Sequence, residues 1–305
     1  MRSTGLLATY SIVAADCDEI GVAVQTHQMC VGSIVPWVEA GVGAVATQSL
    51  VNVRLGPDGL NLLRHGVSPE RTVEALAASD PDSRRRQFAV VDTSGTAAGF
   101  TGDGCIREAS HRTGSGYSVQ ANMMYTTTVV DAMATTFEKS QGPLAERMLE
   151  ALRAAELNSG DIRGMQSAAL VTASVSREVR PWQHLFDLRV DESSQPLAEL
   201  ERLVRLRRAQ LIDNRGHEQL ESSDPESAVE HFGSARALAP ELEELGFWQA
   251  VSLADKDSSQ IEKARAILAE SITGRDDEAR WLDLIDRLEE CGLVNTEGLR
   301  GKLGS

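Results

Sequence analysis

Aromatic residues are scarce, 4% of 305, while 42% of the chain is apolar. A core is therefore affordable in area, but small and β-branched side chains must fill it. Cysteine is nearly absent: Cys17, Cys30, Cys105 and Cys291, with no two at the close spacing of a zinc or redox motif. That pattern excludes a disulfide framework and fits a reducing compartment. Basic residues are outnumbered, 30 Lys and Arg against 45 Asp and Glu, for a net charge of -15 and a pI near 4.9. No basic face is visible, so nucleic acid is not an expected partner. The run Arg84-Arg85-Arg86 reads as a solvated loop before a strand. No apolar run is long enough to span a membrane, and residues 1–8 are too short for a secretory signal. A cytoplasmic protein without membrane or nucleic-acid partners is expected. The six His, at 27, 65, 111, 184, 217 and 231, show no short metal-ligand spacing, and no dinucleotide or phosphate-loop fingerprint occurs. Neither a catalytic metal nor a cofactor is expected.

What the chain does have is a pair of β-branched, apolar runs near its start. Thr9-Tyr10-Ser11-Ile12-Val13-Ala14-Ala15 ends in the polar cluster Asp16-Cys17-Asp18, and Glu19-Ile20-Gly21-Val22-Ala23-Val24-Gln25-Thr26 resumes the character. Two such runs across a short polar gap predict a β-hairpin. Their near-continuous apolar character predicts strands covered on both faces. A third run, Gly41 to Gln48, is expected to extend the same sheet. Thr9 stands at the mouth of the first strand, where an N-terminal nucleophile would use its own α-amine as base. Its other reading is a plain β-branched strand residue.

Farther on, Ser68-Pro69-Glu70 predicts a helix start with Ser as N-cap and Pro at the first helical position. A hairpin is expected over Gln87–Asp92 and Ala97–Thr101, and a short strand at Tyr117–Gln120. Helical spacing appears over Val129–Lys139 and Leu144–Leu157, and strands at Gln166–Ser174 and Leu185–Val190. Hairpins with segregated helices predict an α+β layered domain rather than a doubly wound one. After Gln195 no strand signal remains. Ala228, Phe232, Ala235 and Pro240 carry the second-helix pattern of a tetratricopeptide repeat, and Gly216 falls where its first helix wants a small residue. This tail resembles a short, degenerate tetratricopeptide array, ending in a cap over Trp281–Leu288. The expected division is a leader at 1–8, a main domain at 9–210 and a helical domain at 211–305.

The blocks Thr9 to Ala14, Gly32-Ser33-Ile34-Val35-Pro36-Trp37, Gly41 to Gln48, Thr101-Gly102, Gly114 to Asn122, Arg163 to Ala169 and Asp187 to Asp191 resemble the DUF1028 family. That resemblance implies an Ntn-hydrolase-like (N-terminal nucleophile) αββα fold over roughly 9–210. It implies Thr9 as nucleophile, in a hydrolase of a C–N bond in a small molecule. Many relatives resemble a Met-Thr start, whereas here Ala8 precedes Thr9, so exposure of the amine would require cleavage between them. The alternative is a non-catalytic ligand-binding or assembly protein on the same fold. A homo-oligomer is expected, with a protein partner for the helical tail as a further reading.

Other candidates follow from residue type. Ser33 after Gly32 is a second nucleophile candidate. Gln48, Asn52 and Arg54 follow the third strand and could bind a carbonyl or carboxylate, Arg54 bidentately; a surface turn is the competing reading. Gln120 and Asn122 lie beside Gly114-Ser115-Gly116, with Asn122 a candidate oxyanion donor. Arg163, Gln166 and Ser167 open a strand that could face the same cleft. Asp187 and Asp191 flank Arg189 as candidate acid–base groups, or as a simple Asp–Arg strand-end arrangement.

Overall fold

Burial of every residue in two successive strands sets the architecture of the first part of the chain. The computed structural model describes residues 6–304. Strand β1 (Leu6–Leu7) precedes β2 (Thr9–Ala15) and β3 (Glu19–Thr26), and each position of β2 and β3 is buried. These two form the expected hairpin, with Thr9 opposite Thr26. Next come β4 (Pro36–Glu39), β5 (Gly43–Leu50), α1 (Leu55–Arg64) and α2 (Pro69–Ser79). Then follow β6 (Arg86–Asp92), β7 (Ala97–Thr101), β8 (Ser110–Gly114) and β9 (Tyr117–Asn122). Helices α3 (Val129–Lys139) and α4 (Leu144–Leu157) precede β10 (Ser167–Ser174) and β11 (His184–Val190).

The strands make two antiparallel sheets. One has the order β11-β10-β3-β2-β9-β8; the other runs β1-β5-β6-β7, with β4 also paired to β5. The sheets face each other. Helices α1 and α2 cover the outer face of the β5 sheet, and α3 and α4 cover the outer face of the β2 sheet. The domain is therefore α+β, as the residue pattern predicts, with the αββα layering that the family resemblance implies, and an all-helical region follows.

Alternation explains the layers. Val13, Val22 and Val24 point between the sheets against Ala44, Ala46 and Val91. Alanine on the facing strands lets two sheets approach closely despite few aromatics. The opposite faces carry larger residues: Phe88 and Val90 pack with Leu60, Leu63 and Leu76 of the helices. Tyr10, on the outer face of β2, donates to Glu156 Oε2 of α4 at 2.9 Å. Burial first, and then the Glu156 carboxylate, raises the Tyr10 pKa well above its ordinary value, so the phenol stays a donor.

Two expectations are corrected, and two strands were not foreseen. The run through Gln48 does not extend the first sheet; as β5 it begins the facing sheet, because the intervening chain crosses the sandwich. Period and composition do not specify which sheet a buried strand joins. β4 and β8 went unread because Pro opens one and Ser-His-Arg-Thr-Gly composes the other. Both positions suit sheet edges, where Pro and charge are tolerated. The leader expected at 1–8 lies outside the described residues up to residue 5. Leu6 and Leu7, by contrast, form a strand paired to Leu50 and Ser49 of β5.

The chain divides into two compact units, Met1–Val204 and Arg205–Ser305. Helix α5 (Pro196–Glu221) spans the boundary, and α6 (Pro225–Leu238), α7 (Glu243–Lys256), α8 (Ile261–Ile272), α9 (Glu278–Glu290) and α10 (Leu299–Leu303) follow. Among the described residues, no helix is long and apolar enough to cross a membrane. Ala228, Phe232 and Ala235 are fully buried, as their shared spacing predicts. Phe247 packs its ring against Trp248 at 5.1 Å and Trp281 at 4.8 Å between centroids. A Cβ at Gly216 would lie 2.5 Å from the Phe232 ring. Gly216→Val should therefore destabilise the second unit by about 1–3 kcal/mol through overpacking, despite the poor helix propensity of Gly. Thermal unfolding of the full chain checks this; an unchanged or raised midpoint would show that Phe232 moves aside freely.

Candidate functional site

The sheet register collects polar side chains at one end of the sandwich. Across the first sheet, Ser167, Thr26, Thr9 and Asn122 stand in one row. The next inward-facing row includes Ser11, Gln120 and His111. Facing them, the second sheet presents Gln48, Gln87 and Thr101 as direct neighbours. Residues two apart on a strand share a face, so the polar rows continue the apolar rows of the core. Thr9, Ser11, Thr26, Gln48, Gln87 and Gln120 are all wholly buried.

Burial obliges these groups to pair, since an unsatisfied buried polar atom costs about 1–3 kcal/mol. They do so in one directed chain. Ser118 Oγ donates to Gln120 Oε1 at 3.2 Å, and Gln120 Nε2 donates to Ser11 Oγ at 2.6 Å. Ser11 Oγ donates to Gln48 Oε1, and Gln48 Nε2 to Gln87 Oε1, each at 2.7 Å. Gln87 Nε2 then donates to Thr101 Oγ1 at 2.9 Å, which meets His111 Nδ1 at 2.9 Å. Each amide has its oxygen and nitrogen fixed by neighbours on either side. His111 is exposed overall, but partial burial lowers its pKa and favours the neutral imidazole.

Thr9 hangs from this network. Gln48 Nε2 donates to the Thr9 carbonyl at 3.2 Å, and Asn122 Nδ2 adds a longer contact at 3.5 Å. The Thr9 hydroxyl donates to Thr26 Oγ1 at 3.2 Å. Thr26 Oγ1 in turn makes a short hydrogen bond to the carbonyl of Ala8. The same Ala8 carbonyl accepts from Arg163 Nη2 at 3.1 Å. Arg163 is held by Asp161, whose side chain is fully buried, through contacts of 3.2 Å and 2.9 Å. Asp161 also accepts the backbone N–H of His27 at 3.0 Å, which ties it to the end of β3. Thus the peptide group before Thr9 has two donors on its oxygen and a hydroxyl beside it. Among the described residues, no cluster of His, Cys, Asp and Glu has the geometry to hold a metal ion.

The family model that matches, a family of unknown function designated DUF1028, covers residues 9–200. The chain belongs to the DUF1028 family. The crystal structure of protein SPO2555 from Silicibacter pomeroyi, assigned to the same family model, is 31% identical. The match covers 65% of this chain and 88% of that one, with a TM-score of 0.58. Anbu (ancestral beta-subunit) from Yersinia bercovieri matches at 12% identity and a TM-score of 0.33, over 63% of this chain and 91% of that one. No match was found among curated proteins.

Within this DUF1028 domain, the structure brings together Thr9, Gln48, Gln120, Asn122 and, through Ala8, Arg163. Gln166 adjoins the group through its backbone, its N–H donating to the Thr26 carbonyl at 3.1 Å. Ser33 is not brought in: its hydroxyl closes a local turn onto the Cys30 carbonyl at 2.8 Å. Arg54 is exposed at the start of α1. Asn52 belongs to a separate buried cluster, donating to Asp80 Oδ2 at 2.8 Å beside the Arg86–Asp80 ion pair at 2.9 Å. Asp187 holds Arg189 in a fork on the exposed side of β11, as the simpler reading expected. Burial pushes the Cys105 thiol up, which leaves it a neutral thiol.

Sequence reasoning missed Ser11, Thr26, Gln87, Thr101 and Asp161. A signal existed for some: Gln87 and Thr26 interrupt the inward-facing period of strands otherwise built from Val and Ala. The Asn52–Asp80–Arg86 cluster also fixes the chain next to the site, since Arg86 Nη1 donates to the Leu50 carbonyl at the end of β5. Burial opposes ionisation of Asp80, but hydrogen bonds from Asn52 and Arg86 outweigh it and hold the carboxyl below its ordinary value. A depressed carboxylate pKa stabilises the fold above the unfolded value, about 3.9, and that contribution is lost as pH falls through the folded value. Asp80→Asn should cost up to about 3–5 kcal/mol at neutral pH, because Arg86 loses its buried carboxylate and keeps only the exposed Asp82 at 3.9 Å. It should also flatten the loss of stability below about pH 5. Denaturant titrations of both proteins from pH 7 to pH 3 check this; parallel acid limbs would remove Asp80 as their source.

Proposed function

We propose that Thr9 is the nucleophile of an N-terminal-nucleophile amidohydrolase, released by cleavage of the Ala8–Thr9 bond within the folded chain. The observation that carries the reading is the Ala8 carbonyl, which accepts from both Thr26 Oγ1 and Arg163 Nη2 while the Thr9 hydroxyl rests on Thr26. Attack of Thr9 Oγ1 on the Ala8 carbonyl carbon puts negative charge on that oxygen. Arg163 and Thr26 already point at it, as an oxyanion site requires. The Thr9 proton passes to Thr26, and the Thr26 proton to the Ala8 oxygen. Collapse of the adduct breaks the C–N bond, transfers that proton to nitrogen, and leaves Ala8 esterified to Thr9 Oγ1. Water then releases residues 1–8 and frees the Thr9 α-amine.

With an ordinary value of about 7.7–8.0, that amine is substantially neutral near physiological pH. It can take the Thr9 hydroxyl proton during attack on a substrate amide and return it to the leaving nitrogen. Water completes the cycle by hydrolysing the acyl-enzyme. In this scheme Arg163 and Thr26 stabilise the oxyanion. Asn122 is a positioning residue, because both its N–H groups are engaged, one on Thr9 and one on Gln87 at 3.0 Å. Gln48 holds the Thr9 carbonyl in the same way.

Wild-type protein should lose residues 1–8 on incubation, while Thr9→Ala stays full length and folded, losing only the Thr26 contact worth about 1 kcal/mol. Arg163→Met should slow cleavage about 10²–10³-fold, the usual cost of one oxyanion donor. Intact mass against time reads both. A wild-type chain that keeps residues 1–8 indefinitely overturns the proposal.

A further inference from the structure

We propose that the edge of β5 at Ser49–Leu50, covered by β1 until residues 1–8 are released, is the acyl-side docking site, and that the substrate is a peptidyl amide bound as an added strand with a small residue before the scissile bond. The chemistry rests on the Thr9 reading above; the docking geometry does not. Leu6 and Leu7 pair antiparallel with Leu50 and Ser49, so the segment before Thr9 already lies there as a strand. β4 covers the same edge only from Gly43 to Ala46. Beyond that point, β1 is the strand paired with β5 on this side. Ala8 connects the strand to Thr9 and is wholly buried, so a large side chain at the position before the cleaved bond would have to displace its surroundings. Ser49 adopts φ 68°, a left-handed conformation that is unfavourable for a residue with a side chain. That unusual backbone sits at the position opposite Leu7.

Residues 6–8 therefore lie as an acyl chain would. While attached they occupy the edge at the high effective concentration of an intramolecular ligand. Once the Ala8–Thr9 bond is cut, a two-residue ladder is too short to hold them. The vacated edge then presents unpaired backbone groups, which an extended peptide satisfies by strand addition. Backbone pairing supplies affinity, and the Ala8 site selects a small residue.

The test uses full-length protein carrying Thr9→Ala, so that no turnover intervenes, and a second form that also carries Leu7→Pro. Proline removes a backbone N–H and restricts φ, which frees the β5 edge without shortening the chain. The probe is a fluorescent acetyl-Leu-Leu-Ala amide, followed by anisotropy. It should bind the Leu7→Pro form at least tenfold more tightly than the form with β1 in place. N-methylation of the peptide backbone, or Phe in place of its Ala, should each weaken binding at least tenfold. A chain beginning at residue 9, also with Ala at that position, should behave like the Leu7→Pro form. Equal binding to the covered and opened forms, no binding to either opened form, or indifference to N-methylation overturns the proposal. Because every form lacks the Thr9 hydroxyl, these outcomes do not depend on the nucleophile. Conversely, processed wild type that cleaves simple acyl amides as fast as peptidyl ones keeps Thr9 as nucleophile and removes the docking site.

Discussion

The hydrogen bond between Gln48 and Gln87 joins two strands of one sheet, and through it that sheet holds the other. Gln48 accepts from Ser11 and donates to the Thr9 carbonyl, both on β2, while Gln87 accepts from Asn122 on β9. Gln120, Gln48 and Gln87, in a sandwich of Val and Ala, would each cost about 1–3 kcal/mol if left unpaired. Arranged as a continuous donor-to-acceptor chain, they fix one another and leave little freedom of position. Apolar residues at all of these positions together would satisfy burial without hydrogen bonds. They would not specify where the backbone of Thr9 lies, because none could donate to its carbonyl as Gln48 does. The polar end of the sandwich therefore trades hydrophobic burial for placement, and what it places is the start of β2.

A second constraint comes from outside the sandwich. Asp161 is buried, accepts a backbone N–H from the end of β3, and grips the Arg163 guanidinium. Arg163 alone is a long, flexible side chain; held by Asp161, it presents one nitrogen to the Ala8 carbonyl. Tyr10, immediately after Thr9, points the opposite way and is tied to α4 through Glu156. The backbone on both sides of the Thr9 Cα is thus fixed from both faces of the sheet. A hydroxyl at that position is aimed by its surroundings rather than by its own rotamer preference.

Much of this was legible in the residues, and the failures have physical causes. Full burial of β2 and β3, the capped start of α2 and the limits of α3 and α4 follow from period, capping and composition, which are local properties. The placement of β5 in the facing sheet is not local, because a buried strand carries no mark of its partners. The same holds for the site. Gln48, Gln120 and Asn122 stood out as amides at strand ends; Gln87 and Thr26 are marked as polar breaks in apolar periods, but which groups they meet depends on register, which pairing alone reveals. Asn52 and Arg54 looked equivalent to Gln48 in sequence. They follow β5, however, where the chain has left the sandwich, and Asn52 turns instead to the Asp80–Arg86 pair.

The two clusters meet at the end of β5. Arg86, anchored on Asp80 and next to Asn52, donates to the Leu50 carbonyl. Ser49, one residue earlier, carries the left-handed backbone and contacts Cys105 Sγ at 3.5 Å. One residue earlier again, Gln48 enters the polar network. Three consecutive residues are therefore held by three separate sets of partners, and the backbone between them is unfavourable for a non-glycine residue. Such a conformation persists only where its surroundings over-determine it. The left-handed backbone of Ser49 stands opposite Leu7, two residues before the Thr9 whose preceding carbonyl accepts from Arg163 and Thr26, so the least favourable backbone of β5 lies where the chain leading to the site is paired.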